Sequence, residues 1–225
     1  MEHQNSVVNK NLPNMQLVKN LSPVKRPRRD KPISCQVVHT TGDTDLEKIV
    51  RYYLKTIGPH FLIDYDGTIT QFVETDRVAW HCGFQGDGPD NEGELYEKGW
   101  EVWSRRIDKS PWKVEDPYPG YETWRKRWPD FQSPIELVSG RYPNFVSIGI
   151  EVREPERRQP AKFFDAQYEA LAELLKFNAA NHQLILDRDH VLGHYDVNPI
   201  ARCGPEGDRD PGEAFDWARI QSMLK

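Results

Sequence analysis

Near its end the chain reads Val191-Leu192-Gly193-His194-Tyr195-Asp196, a short apolar run that delivers a histidine. Further on, Arg209-Asp210-Pro211-Gly212 places a carboxylate in a turn, and far upstream Val37-Val38-His39-Thr40 again puts a histidine where an apolar run ends. Two histidines and one carboxylate form the three-ligand set of a catalytic zinc, which leaves the fourth position for water. We therefore expect His39, His194 and Asp210 to meet at the ends of strands.

Composition narrows the class of protein. The chain has 225 residues, of which 37% are hydrophobic and 29% charged, so it suits one domain with some length outside the core. A net charge of -5 argues against a nucleic-acid partner. No apolar stretch approaches the roughly 18 residues of a transmembrane helix, and residues 1 to 20 lack the apolar core of a signal peptide. We expect synthesis in the cytoplasm without a signal peptide.

The first 32 residues have no sustained hydrophobic period, and we predict an irregular basic arm. The arm is either a solvated tail or a segment for surface binding or targeting, because five basic residues cluster in it: Lys25, Arg26, Arg28, Arg29 and Lys31. We predict that residues 33 to 225 form the main domain.

The first part of this domain carries clear local signals. Residues 33 to 38 are apolar and β-branched, which predicts a strand that ends at His39. Asp45 is typical of a helix N-cap, and Gly58-Pro59 would end that helix. Asp66-Gly67 between two alternating runs predicts a hairpin over residues 61 to 73. Residues 78 to 83 look like another short strand or strand end.

Residues 84 to 144 break the pattern, and we predict that they form a folded insertion. The segment contains several tryptophans, which either pack it onto the domain or line a groove for sugar or peptide: Trp100, Trp103, Trp112, Trp124 and Trp128.

Regular structure returns after the insertion. Residues 146 to 152 are typical of a central strand, and Asp165 is predicted to cap an amphipathic helix that runs to about Phe177. A strand over residues 190 to 193 and a closing helix over residues 214 to 224 complete the pattern. This order of elements predicts an α/β fold with a mixed central β-sheet flanked by helices.

Six short pieces, in this order, resemble the zinc-dependent N-acetylmuramoyl-L-alanine amidases, a superfamily of AmpD-like enzymes, phage-lysozyme-type amidases and peptidoglycan-recognition proteins. The pieces cover most of residues 33 to 224 apart from the insertion: Val38-His39-Thr40-Thr41, residues 60 to 69, residues 78 to 83, residues 147 to 151, Gly193-His194-Tyr195-Asp196 and Asp210-Pro211-Gly212.

The resemblance implies one Zn²⁺ per chain, held by His39, His194 and Asp210. Some family members use a cysteine as the third ligand, which makes Cys203 a rival. The family places this ligand directly before Pro-Gly, however, and Asp210 occupies that place.

The resemblance also implies the catalytic groups. Glu151 is the expected general base, which takes a proton from the zinc-bound water that attacks the amide. The family has a basic residue two places before the last ligand, but this chain has Asp208 there. Arg209 or Arg202 would then supply the positive charge for the oxyanion. Trp80 and His81 lie where AmpD-like members hold the substrate, and a structural role is the alternative for His81.

The implied function is hydrolysis of the amide bond between N-acetylmuramic acid and L-alanine, in peptidoglycan or muropeptides. A peptidoglycan-binding module without activity is the alternative, and the complete ligand set argues against it. The setting stays open between a recycling enzyme in the cytoplasm, and an endolysin or secreted effector acting on the cell wall. The insertion and basic arm favour the lytic interpretation. The sequence gives no indication of oligomeric state.

Overall fold

A computed structural model describes residues 16–82, 142–155, 162–197, 210–212 and 214–225. Within these ranges the chain forms strands β1 (Leu17–Lys19), β2 (Cys35–Thr40), β3 (Phe61–Ile63), β4 (Ile69–Gln71), β5 (Ser147–Val152) and β6 (Val191–Gly193). The accompanying helices are α1 (Leu46–Lys55), α2 (Tyr142–Val146), α3 (Asp165–His182), α4 (His194–Val197) and α5 (Trp217–Met223). None of the helices in these ranges has the length and apolar character needed to cross a bilayer.

The strands form one mixed sheet in the order β1-β4-β3-β5-β2-β6, which confirms the predicted fold class. Strands β3, β5, β2 and β6 run parallel to one another, whereas β4 runs antiparallel to β3. The carboxyl ends of the four parallel strands therefore lie at the same edge of the sheet, which is where ligand sites of open α/β sheets occur.

The sheet buries both of its faces. Val37 and Val38 of β2 are fully buried although they point to opposite sides, as expected for a central parallel strand. Val38 belongs to a core cluster built with α3 and α5. His39 points the other way, and α1 packs on that second face through Ile49 and Tyr53. We call the face covered by α3 and α5 the helix-pair face, and the face that carries His39 the histidine face.

Most of the predicted elements are present. The hairpin of β3 and β4 turns at Gly67, whose positive φ of 83° favours glycine. Asp45 is the N-cap of α1, and its side chain accepts from the N–H of Lys48. The cap predicted for α3 is wrong by one residue. Phe164 is the N-cap, and its N–H donates to the side chain of Gln167, which lies in the first turn of the helix.

The prediction of an irregular chain before residue 33 is wrong for Leu17–Lys19. These residues form β1, which pairs in parallel with the otherwise open edge of β4. The pairing satisfies backbone groups that β4 would leave exposed at the sheet edge.

Two of the clustered basic residues are also not part of a solvated tail. Arg26 is buried and donates to the carbonyl of Thr56. The Arg29 guanidinium donates to the carbonyls of Thr75, Asn144, Phe145 and Ser147. Burial lowers the pKa of Arg29 to about 10, so it remains a cation at neutral pH. Arg29 thus ties the segment before β2 to the start of β5.

Residues 78–82 do not form the predicted strand. The N–H of Val78 donates to the carbonyl of Pro27, and the N–H groups of His81 and Cys82 both donate to the Asn144 side chain. A side-chain amide therefore satisfies donors that a neighbouring strand would otherwise pair. Residues 84 to 141 of the predicted insertion lie outside the described part of the chain.

Candidate metal centre

Sheet register brings two histidines side by side. His39 is the fifth residue of β2, and Val38 before it pairs with Gly193 at the end of β6. His194 follows Gly193 directly and begins α4, so it continues that register and lies beside His39. The third group, Asp210, comes from the segment 210–212 that passes the same edge, where its carbonyl accepts from the N–H of Tyr195.

The three side chains converge on one point. His39 Nδ1 lies 3.1 Å from His194 Nδ1 and 3.1 Å from Asp210 Oδ2, and His194 Nδ1 lies 2.9 Å from Asp210 Oδ2. All three residues are buried. A tetrahedral zinc with bonds of about 2.0–2.1 Å separates its ligand atoms by about 3.4 Å, close to these distances. Two imidazole nitrogens and one carboxylate oxygen are also a donor set that zinc prefers. The residues therefore fit a zinc ion.

Asp210 is held as an anion. Burial alone would raise its pKa, but the neighbouring imidazoles of His39 and His194 outweigh burial and lower the pKa well below its usual value. Its second oxygen, Oδ1, accepts from the N–H of Thr40 at 2.6 Å. That bond leaves Oδ2 aimed at the two imidazoles, as a ligating carboxylate oxygen requires.

An ion pair behind His194 holds the start of α4. Asp196 Oδ2 accepts from the N–H of Gly193 at 2.8 Å and pairs with Arg188 at 2.6 Å. Arg188 also lies over the ring of Trp217, 4.0 Å from its centroid, and donates to the Tyr195 hydroxyl. These contacts fix the backbone on both sides of His194.

Glu151 lies beside the cluster. It pairs directly with His39 in the register of β2 and β5, and paired residues of parallel strands point to the same face. Tyr53 of α1 reaches the same place. Its pKa is raised, first by burial and then by the charge of Glu151, with which its hydroxyl forms a hydrogen bond.

The two residues predicted to contact substrate lie near the cluster in different ways. His81 places Nδ1 2.9 Å from His39 Nε2 and Nε2 3.1 Å from the Ser147 hydroxyl. Trp80 is partly buried and packs its ring edge-on against Phe145, with centroids 5.9 Å apart. Their contact with substrate stays a prediction. Arg209, the predicted oxyanion residue, lies outside the described residues, as do Arg202, Cys203 and Asp208.

Sequence reasoning missed Tyr53 and Asn144. Tyr53 recurs four residues after Ile49 on the apolar face of α1, and a tyrosine on a buried face needs a partner for its hydroxyl. That signal was present in the sequence, although nothing in it named Glu151 as the partner. Asn144 gives no such signal, because its role depends on a backbone segment about 60 residues earlier.

The fold is a mixed sheet flanked by helices, and its carboxyl edge carries two imidazoles and one carboxylate that could hold a metal ion. Residues 29–213 match the family described as N-acetylmuramoyl-L-alanine amidase, and the chain belongs to that family.

The chain is also similar to curated relatives in sequence and to solved structures in fold. The chain is 28% identical over 176 residues to the 1,6-anhydro-N-acetylmuramyl-L-alanine amidase AmpD of Haemophilus influenzae. This match covers 77% of the present chain and 61% of the length of that AmpD. Its fold is similar to the crystal structure of a selenomethionine derivative of AmpD, with a TM-score of 0.53 and 21% identity over 92% of this chain and 93% of the other. It is also similar to the Escherichia coli amidase AmiD in complex with anhydro-N-acetylmuramic acid-L-Ala-D-γ-Glu-L-Lys, with a TM-score of 0.50 and 22% identity over 90% and 60% of the two chains.

Proposed function

We propose that this protein is a zinc-dependent amidase that hydrolyses the bond between N-acetylmuramic acid and L-alanine. One observation carries the proposal. The ligand atoms of three zinc-type donors lie within 4.8 Å of one another, and Glu151 pairs with one of these donors, His39, in the register of β2 and β5. A purely structural zinc usually has four protein ligands. The described part of the chain supplies three to this cluster, which suits a catalytic centre.

The chain's own residues have distinct roles in this reaction. His39, His194 and Asp210 would hold a zinc ion, which supplies a Lewis acid that polarises the amide carbonyl and lowers the pKa of water. Glu151 accepts a proton from the attacking water and delivers it to the leaving nitrogen of L-alanine. Tyr53 orients the Glu151 carboxylate through its hydroxyl. Arg209, or Arg202, provides positive charge to the developing oxyanion.

We propose soluble 1,6-anhydro-muropeptides as the substrate class. The curated relatives are named for amidases of this kind, and the substrate in the AmiD complex is an anhydro-N-acetylmuramyl peptide. These names favour a recycling enzyme that acts on soluble fragments. The predicted insertion and basic arm had instead favoured lysis of the intact wall. Trp80 and His81 remain candidates for substrate contact.

The test combines zinc content with hydrolysis of an anhydro-N-acetylmuramyl tripeptide and of purified peptidoglycan. We expect about one zinc per chain and release of the peptide, faster from the soluble fragment. Glu151→Gln should keep the zinc and lower kcat by about 10²–10⁴-fold, the usual contribution of a general base. His194→Ala should lose both zinc and activity.

His182→Ala is the matched control, because this histidine lies at the end of α3 and bonds Thr75 rather than the cluster. It should retain both zinc and activity. If the intact protein binds zinc and wall fragments but cuts neither substrate, the recognition-module alternative replaces the amidase. If it binds no zinc, the metal centre itself is wrong.

A further inference from the structure

The His81 side chain packs against the sheet beside His39, one of the three candidate metal ligands. Its Nδ1 lies 2.9 Å from His39 Nε2, and its Nε2 lies 3.1 Å from the Ser147 hydroxyl. The His39 and His81 rings meet edge-on, with an interplanar angle of 83° and centroids 5.1 Å apart. His81 therefore contacts His39 on the side that faces away from His194 and Asp210.

The donor and acceptor roles in this row follow from the metal centre. His39 turns Nδ1 towards His194 and Asp210, and a ligating nitrogen carries no proton. A neutral imidazole then carries its proton on Nε2, which faces His81 Nδ1. His39 thus donates and His81 accepts. His81 in turn carries its own proton on Nε2 and donates to the Ser147 oxygen, which gives one consistent pattern.

The surrounding chain leaves the His81 ring little freedom. A Cβ on Gly149 would lie 2.2 Å from His81 Cγ, so the ring rests directly on the β5 backbone. The N–H of His81 is held by the Asn144 side chain at 3.0 Å. Strand β5 therefore provides both the surface on which the ring lies and, through Ser147, the acceptor that orients it.

We propose that His81 is a positioning residue that fixes the tautomer and ring orientation of His39 and thereby sets the affinity for the metal. The proposal rests on the metal centre of the proposed function. The sequence left His81 open between a substrate contact and an unspecified structural role, and this proposal gives the structural role a definite form. Partners of this kind typically contribute 10–100-fold to metal affinity or activity.

Two variants of the same chemical type separate the positioning role from simple packing. His81→Asn places an amide oxygen near the position of Nδ1, where it can accept from His39 Nε2–H. His81→Gln places its amide near the position of Nε2, towards Ser147, and offers His39 no acceptor. The variants differ by one methylene and carry the same functional group, so their comparison isolates the acceptor that faces His39.

The measurement is zinc affinity of the full chain, by competition with a chromogenic chelator. We expect His81→Asn to bind zinc nearly as tightly as the unmodified protein, and His81→Gln to bind about 10–100-fold more weakly. NMR of ¹⁵N-labelled imidazoles in the zinc-free proteins reports the tautomer of His39. It should show His39 protonated at Nε2 in the unmodified protein and in His81→Asn. In His81→Gln the zinc-free protein should show a mixture of tautomers.

The outcomes distinguish this proposal from the proposed function. If the unmodified protein binds no zinc, the metal centre fails and the positioning role fails with it. If it binds zinc and the two variants bind equally well, the positioning role is overturned while the amidase stands. A rise in KM with unchanged zinc affinity in both variants would also overturn it, since that result assigns His81 to substrate contact alone.

Discussion

The two faces of the central sheet differ in what they bury. The helix-pair face carries an apolar cluster in which Ile148, Ile150, Leu171 and Leu174 are fully buried. The histidine face carries a row of four imidazoles in the order His194, His39, His81 and His60, with neighbouring ring centroids 4.6, 5.1 and 5.8 Å apart. Alternation along β2 and β5 supplies both faces from the same strands.

The helix-pair face mainly contributes stability, whereas the histidine face mainly contributes the geometry of the candidate site. Apolar contacts are non-directional, so the helix-pair face stabilises the fold roughly in proportion to the area buried. Each buried polar group of the histidine face needs a specific partner, which fixes geometry at a cost in desolvation. Changes on the first face should therefore lower the free energy of unfolding, and changes on the second should mainly alter the site.

Leu171→Ala should give the largest change in stability. Leu171 is fully buried between α3 and the sheet, and truncating such a leucine removes transfer free energy and leaves a cavity. We expect the free energy of unfolding to fall by about 2–5 kcal/mol. Urea unfolding measures this loss, and zinc content and kcat per folded molecule should not change.

The exposed Glu169 on the same helix provides the control, and Glu169→Ala should stay within about 0.5 kcal/mol. A large fall in zinc affinity for Leu171→Ala in the folded protein would break the comparison. It would mean that packing on one face sets the geometry of the other.

The helix-pair face also contains a buried polar pair, which sharpens the contrast. The Gln36 amide donates to the carbonyl of Leu175 at 3.1 Å, and its oxygen accepts from the Asn178 amide at 2.9 Å. Gln36→Leu leaves the Asn178 donor without this partner. We expect a loss of about 1–3 kcal/mol, which is typical when a buried hydrogen-bonding group loses its partner.

A double-mutant cycle with Asn178→Ala measures the pair. If the two side chains stabilise each other, the double variant should lose less than the sum of the single variants, by about 0.5–3 kcal/mol. Strict additivity would contradict the hydrogen bond. In either case zinc affinity should stay unchanged, because the pair lies on the face opposite to His39.

The elements predicted correctly from sequence have local causes. Buried β-branched runs indicated β2, β5 and β6, and Asp66-Gly67 indicated the hairpin. Strand β1 and the segment 78–82 were not predicted correctly, because each depends on a distant partner. Leu17–Lys19 forms a strand through the free edge of β4, and residues 81 and 82 pair with Asn144 instead of a strand.

The candidate site divides in the same way. His39, His194 and Glu151 end or follow apolar runs, so the sequence pattern already placed them at strand ends. The contact between His81 and His39, and that between Tyr53 and Glu151, depend on how distant segments stack on the histidine face. Spacing along the chain carries no information about such contacts, and only the assembled sheet reveals them.

The smallest expected effect concerns the pH dependence of stability and the deepest histidine. His60 is fully buried, and its Nδ1 accepts from the N–H of Gly149 at 3.0 Å. Burial, and then the charge of Arg29, lower its pKa well below the usual value. The native protein therefore binds this proton less readily than the unfolded chain. The contribution of His60 to the free energy of unfolding is therefore complete above about pH 6.5. Below that pH it falls by up to about 1.4 kcal/mol per pH unit, the limit for one titrating group.

Replacing His60 by asparagine isolates this term. The asparagine oxygen near the position of Nδ1 can still accept from Gly149, but the side chain does not titrate. Between pH 7 and pH 5 in excess chelator, the free energy of unfolding of His60→Asn should fall less steeply than that of the unmodified protein. Leu171→Ala should instead lower the curve by the same amount at every pH. Equal slopes for His60→Asn and the unmodified protein would show that proton linkage does not distinguish the two faces, because the histidine face would then not hold His60 as a neutral ring.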